Sequence, residues 1–249
     1  MVLLFDLDGT LSDSRQGIVR CTRHALEQLG ERVPSDDALA AFIGPPLRSM
    51  FGTLLSGEGG EAGGGAAGSA GRGRRVEDAV RLYRERYDAV GLYEARLYDG
   101  VARMLEGAAA RASRLFVATA KPRTFAVRVV EHLGISPFFA GIYGAELDGR
   151  FDAKEELIRH LLEEEGVAPG EALMVGDRGV DVLAARANGV PAIGALWGYG
   201  SADELEEAGA IGLCESPAGL ETCLAGAGEA ARSPAPAGAA PLPWRPQGP

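Results

Sequence analysis

Three cysteines, Cys21, Cys214 and Cys223, are too few and too scattered for a disulfide framework or a thiolate metal site. Their scarcity predicts free thiols and a cytoplasmic chain. Long apolar runs are missing too. The N-terminal one, Met1 to Phe5, is broken at Asp6, too early for a signal-peptide core or a membrane span. Positive charge is in deficit: 25 Lys and Arg against 35 Asp and Glu leave a formal charge of −10. That field opposes nucleic-acid polymers and anionic membranes, so neither is expected as a partner. Small phosphorylated ligands stay open, because local groups and a cation can outweigh a distant net charge. No lysine occurs between Ser14 and Leu97, which argues against Schiff-base chemistry in that stretch.

What is there suffices for one sizeable core and a smaller companion: 249 residues, 46% of them hydrophobic. Val2–Phe5 reads as a buried strand. Residues 14–30 read as a helix, and 35–55 as two short helices around Gly44-Pro45-Pro46, where neither proline can donate a backbone hydrogen bond. A glycine-rich stretch, 56–73, reads as a flexible surface loop. The helix after it carries Val76, Ala79, Val80, Tyr83, Tyr87 and Val90 as an apolar stripe. From Leu97 onward, strands at 114–119, 142–145, 172–175, 191–196 and 210–213 alternate with helices. Alternation of this kind implies a parallel sheet with right-handed crossovers. The fold class is therefore α/β: a Rossmann-like doubly wound sheet, residues 1–14 and 97–225, with an inserted all-α domain, 15–96. Residues 226–249 read as a Pro/Ala/Gly-rich disordered tail.

The acids stand at strand ends. In an open parallel sheet, ligands bind beyond the carboxyl ends of the strands. Asp6 and Asp8 follow the first strand, Thr119-Ala120-Lys121-Pro122 ends another, and Gly176-Asp177-Arg178 a third, with Asp181 one helical turn on. Taken singly, each has a plainer reading: Asp-x-Asp-Gly as a turn, Thr119 as a helix cap, Lys154 as a solvated helix lysine. Taken together, three clustered carboxylates resist joint ionisation unless a hard divalent cation such as Mg²⁺ joins them.

"FDLDGTLSDS", "ATAKP", Lys154 and "VGDRGVDVLAA" resemble, in order and rough spacing, the four motifs of the haloacid dehalogenase-like phosphohydrolases. "FIGPPL", "LDGRFDAKEELI" and "LWGYGS" resemble the phosphoglycolate phosphatase-like subgroup with a helical cap, in particular members described as 5′-nucleotidases or pyrophosphatases. The resemblance implies Asp6 as nucleophile and Asp8 as general acid and base. It implies Mg²⁺ held by Asp6, the Asp8 carbonyl and Asp177, with Asp181 behind them. Thr119 and the amide of Ala120, taken as a helix start, would hold the phosphoryl group beside Gly9 and Thr10. The charged lysine is expected to be Lys154, at the start of an amphipathic helix, with Lys121 as the competing candidate lining the phosphate pocket. Arg48 is the preferred contact from the cap to the substrate. Trp197 and Tyr199, between glycines, either shape a loop near the site or, the preferred reading, cover the sheet edge; the arginines at 72, 74, 75, 81, 84 and 86 are read mostly as a solvated face, with one or two available to an anionic substrate. The expected function is a Mg²⁺-dependent phosphatase of a small phosphorylated metabolite, such as phosphoglycolate or a nucleoside monophosphate, working as a monomer or homodimer. A sugar phosphomutase and a silent phosphate-binding module are the alternatives.

Overall fold

The computed structural model describes residues 1–56 and 66–230. β1 (Val2–Phe5) consists of four bulky apolar residues, all buried. Only a strand with neighbours on both edges and helices on both faces hides every side chain of such a run. β4 (Arg114–Pro122) and β6 (Ala172–Gly176) supply the edges, both parallel to β1. The six-stranded sheet has the order β5-β4-β1-β6-β7-β8, with β5 Gly141–Ala145, β7 Ala192–Ala195 and β8 Gly212–Cys214.

Alternation along β1 divides the core. Leu3 and Phe5 face one cluster with Leu115, Val117, Leu173 and Val175, while Val2 and Leu4 face the other with Phe116, Ala118 and Met174. The first cluster includes Val101, Met104 and Leu105 of α5 (Val101–Arg111) and Ala126 and Val129 of α6 (Arg123–His132). The second includes Ile158 and Leu161 of α7 (Lys154–Glu164), Val182 of α8 (Gly179–Ala187) and Leu205 of α9 (Ala202–Ala208). α10 (Leu220–Ala230) follows β8.

The helical insert leaves and returns through an antiparallel pair, β2 (Ser12–Asp13) with β3 (Arg96–Leu97), fastened by an Asp13–Arg96 ion pair of 3.0 Å. Its helices are α1 (Arg15–Gln28), α2 (Asp36–Ala40), α3 (Leu47–Leu54) and α4 (Ala66–Ala89). Ser35 caps α2 by accepting from the Ala38 amide at 3.3 Å. α4 begins inside the glycine-rich stretch, so that stretch is partly helical rather than a loop to residue 73; its residues 57–65 lie outside the described residues, as does 231–249 of the expected tail. Buried side chains of the insert, among them Leu26, Phe51, Tyr83 and Tyr87, are continuous with the first core cluster.

Two sequence expectations fail locally. β4 does not stop at Thr119 but runs on to Pro122, slipping register against β5 between Thr119 and Pro122. Ala120 therefore lies in a strand, and α6 starts at Arg123, capped by a proline without an N–H.

Candidate active site

β1, β4 and β6 are level at Phe5, Val117 and Val175. The chain therefore delivers Asp6, Thr119 and Asp177 at the same end of three adjacent strands. Asp6 is 7% exposed, Thr119 2% and Asp177 not at all. After Asp6, whose amide donates to the Val175 carbonyl at 3.0 Å, the chain folds back on itself: the Ser12 amide donates to Leu7 O at 2.9 Å and the Gly9 amide to Ser12 O at 2.8 Å. Leu7 and Leu11 anchor this turn in the core.

Gly9 has φ +95°, and a Cβ there would lie 2.1 Å from Asp177 Oδ2. Only glycine allows both the left-handed backbone and the close approach. Gly9→Ala is expected to destabilise the protein by about 2 kcal/mol or more, combining left-handed strain with displacement of Asp177. A urea midpoint indistinguishable from wild type would contradict this.

Lys154 opens α7 and is buried, its Nζ donating to Asp6 Oδ1 at 2.7 Å and also to Asp181 Oδ1. Asp181 Oδ2 accepts from the Arg178 amide at 3.0 Å, which caps α8. Lys121 goes elsewhere: its Nζ lies 2.7 Å from the Asp8 carboxylate and 2.6 Å from the Tyr87 hydroxyl. The two lysines thus serve the two acids of the first turn separately. Thr119 Oγ1 accepts from the Lys121 amide at 3.3 Å, fixing the end of β4.

Asp177 Oδ1 accepts from Thr10 Oγ1 and Oδ2 from the Tyr199 amide, both at 2.9 Å. The loop after β7 is part of this site, not a cover for the sheet edge. Trp197 Nε1 donates to Thr10 O at 2.8 Å and the Tyr199 hydroxyl accepts from the Ser14 amide at 3.0 Å. Gly198 lets that loop come close: a Cβ there would lie 2.3 Å from Asp177 Cβ.

Burial pushes the Asp6 carboxyl up to about 6; Lys154 opposes this, while Asp181 and Asp8 add to it. Burial likewise raises Asp177 well above its ordinary value, reinforced by Asp181 and Asp6. Burial works against a charged Lys154, but Asp181 and Asp6 outweigh it and raise its pKa. Lys121 is raised in the same way by Asp8 and Tyr87 against burial. The acids outnumber their compensation at Asp6 and Asp177, which is the imbalance a bound cation removes. One carboxylate oxygen from each of Asp6, Asp177 and Asp181 lies within 4.8 Å of the others, a hard-oxygen set that fits Mg²⁺. Lys154 and the Arg178 amide hold Asp181, Thr10 and the Tyr199 amide hold Asp177, and Lys154 holds Asp6 Oδ1, so among the described residues Asp6 Oδ2 is the oxygen of this trio without a hydrogen bond.

The insert meets the site through Tyr87, through Arg178 Nη1 donating to Ile43 O, and through Arg48. Arg48 pairs with Glu77 at 2.7 Å and lies 3.8 Å from Asp152, two residues before Lys154.

A family model described as haloacid dehalogenase-like hydrolase matches residues 3–195, which contain every one of these groups except Trp197, Gly198 and Tyr199. The chain belongs to this family. Among haloacid dehalogenase-like hydrolases it is similar to a 5′-nucleotidase of Pseudomonas aeruginosa, 44% identical over 89% of this chain and 94% of that one. It is 35% identical to the tyrosine-protein kinase PtkA of Mycobacterium tuberculosis, over 83% of this chain but 65% of that protein. The crystal structure of a predicted phosphatase from Clostridium acetobutylicum superposes with a TM-score of 0.81, at 32% identity, covering 90% of this chain and 98% of the other. The hydrolase is thus a phosphoric monoester hydrolase built on the Rossmann-like fold. Among the described residues no helix is long and apolar enough to cross a membrane.

Tyr87 is the site residue the sequence pattern hid. Its ring belongs to the apolar stripe of α4, stacked on Tyr83 with centroids 5.6 Å apart, and its hydroxyl leaves no trace in a hydropathy pattern. A compositional signal existed for the lysines: the chain has only two, Lys121 and Lys154, and both are buried at the acids.

Proposed function

We propose that this chain is a Mg²⁺-dependent phosphatase that hydrolyses a small phosphorylated metabolite through an aspartyl-phosphate on Asp6. Phosphoglycolate and nucleoside monophosphates are the first compounds to test. The observation that carries the reading is the convergence of Asp6, Asp8 and Asp177 after β1 and β6 with Lys121 from the end of β4 and Lys154 from the start of α7, each lysine assigned to its own acid.

Asp6 Oδ1 is held by Lys154, and among the described residues no hydrogen bond reaches Oδ2, which is free to attack phosphorus. As the Asp6–phosphorus bond forms and the ester bond breaks, the leaving oxygen takes a proton from Asp8. Asp8 then removes a proton from the water that hydrolyses the acyl phosphate, returning Asp6 as carboxylate. Thr119 and the backbone around Gly9 and Thr10 hold phosphoryl oxygens, and Lys154 stabilises the charge that gathers there. Asp6, Asp177 and the Asp8 carbonyl would hold Mg²⁺, which offsets the negative charge of the transferring group. The insert, residues 15–96, acts as a cap that excludes water and admits small substrates.

The name of the mycobacterial relative raises transfer to a protein hydroxyl as a second reading. The burial of Asp6, 7% exposed, favours a small acceptor, water, over a tyrosine on a protein surface.

Phosphate release from a panel of phosphorylated metabolites, with Mg²⁺ and with EDTA, tests the proposal. Release is expected only with metal. Because Asp6 holds its proton up to about pH 6 before metal binds, the apparent Mg²⁺ affinity should weaken as pH falls through 6, up to about tenfold per unit for one competing proton. Release in EDTA, or Mg²⁺ affinity unchanged between pH 7.5 and 5, would contradict this site.

A further inference from the structure

Two lines of contact fix the Asp8 carboxylate, and both lead to the insert. Ser14, which precedes α1, donates from Oγ to Asp8 Oδ1, and its own amide is held by the Tyr199 hydroxyl at 3.0 Å. Lys121 supplies the second hold, with Nζ 2.7 Å from each Asp8 oxygen. A buried ammonium has three N–H donors to satisfy, and the Tyr87 hydroxyl of α4 accepts from it at 2.6 Å. The Tyr87 ring cannot wander. It stacks on Tyr83 and meets Phe125 of α6 edge to face, with ring centroids 5.3 Å apart, and Lys121 Nζ lies 5.0 Å from its centroid.

The backbone is shaped around Lys121 as well. Where β4 slips register against β5, the Lys121 carbonyl comes up to Gly144 of β5, and a Cβ there would lie 2.5 Å from that oxygen. Only a glycine tolerates this approach. Tyr87, Lys121 and Asp8 therefore form one buried line from the insert, through the end of β4, to the turn after β1. A carboxyl that gives a proton to a leaving oxygen and then takes one from water must keep its aim through both steps, and aim is worth much of a catalytic group's effect.

We infer that Tyr87 is a positioning residue of the reaction: its hydroxyl, carried by the insert, holds the Lys121 ammonium against Asp8, so that the docked insert aims the acid and base through Lys121. This rests on the phosphatase reading above and deepens it, by naming what orients the group that serves the leaving oxygen. A tyrosine that merely glues the insert to the core would affect every substrate alike. A tyrosine that aims Asp8 matters most where the leaving oxygen needs a proton.

The test measures kcat/KM in the full chain with Mg²⁺ for wild type, Tyr87→Phe, Lys121→Met and the double variant. Phosphoglycolate and AMP, whose alkoxide leaving groups need a proton, are compared with p-nitrophenyl phosphate, whose phenolate leaves without one. Tyr87→Phe is expected to lower kcat/KM for the alkyl esters about tenfold and that for p-nitrophenyl phosphate less than about threefold. In the Lys121→Met background the same change should cost no more than about twofold, because it acts through Lys121. An alkyl-to-aryl ratio unchanged within about twofold in Tyr87→Phe, or an undiminished further loss in the Lys121→Met background, overturns the proposal. The chain's two lysines allow a readout without turnover. In a ¹⁵Nζ-lysine spectrum, Lys121→Met assigns the two ammonium signals, and Tyr87→Phe should shift or broaden that of Lys121 and leave that of Lys154 in place. If wild type releases phosphate from none of the three esters, the phosphatase reading fails separately. The spectrum then still decides the contact: a displaced Lys121 signal supports it, and an unmoved one overturns it.

Discussion

Asp6→Asn is expected to abolish phosphate release, with kcat down by about 10⁴-fold or more, the scale seen when a nucleophile is removed from a covalent mechanism. The fold should survive. The amide is isosteric, its oxygen can still accept from Lys154 Nζ, and removing one of three crowded carboxylates relieves repulsion with Asp177 and Asp181. The variant should therefore melt at or above the wild-type temperature in the absence of metal while being inactive in its presence. Stability without activity separates a chemical role from a structural one. Activity retained within tenfold would remove Asp6 from the mechanism.

Lys154→Met should cost about 3–5 kcal/mol, because one partner leaves a buried ion triad and two carboxylates stay behind. For a chain of this size that is a fall in Tm of roughly 10 °C or more. The loss has a pH signature. An acid whose folded-state pKa is raised contributes stability below its unfolded pKa and loses it as pH rises through the folded value. Removing the ammonium takes away what opposes the rise of Asp6, whose pKa is already pushed up to about 6 by burial. The deficit relative to wild type should therefore grow between pH 5 and 8, and proton uptake by the acids should shrink it at the low end. Turnover should fall as well, since a protonated Asp6 is no nucleophile. A Tm within 2–3 °C of wild type at pH 8, roughly 1 kcal/mol at this size, would mean that Lys154 is not the counter-charge of this site.

The fold was largely legible because its central strands are buried on both faces. Val2–Phe5 and Ala172–Val175 read as unbroken apolar runs, and the first acid after each marks where the sheet ends. Asp6 and Asp177 could be read for that reason. β2 and β3, which flank α1 to α4, are two-residue strands that carry no periodicity of their own. Thr119-Ala120-Lys121-Pro122 departs from the expected helix start because a proline after a strand resembles one in sequence; here the chain stays extended to Pro122, and Lys121 turns to Asp8. For Trp197 and Tyr199 the structure matches the less favoured of the two sequence readings, a loop near the site, because what they contribute is an amide to Asp177 and an indole N–H to Thr10 O, which no residue pattern encodes.

If a phosphoryl group passes through Asp6, turnover leaves a transient acyl phosphate on that side chain. Mixing the enzyme and Mg²⁺ with a ³²P-labelled substrate of the panel, quenching in acid within milliseconds and mapping the labelled peptide tests it directly. A hydroxylamine-labile label is expected on the N-terminal peptide containing Asp6, absent in Asp6→Asn. Turnover with no trapped label at any quench time, or label on another residue, would contradict it.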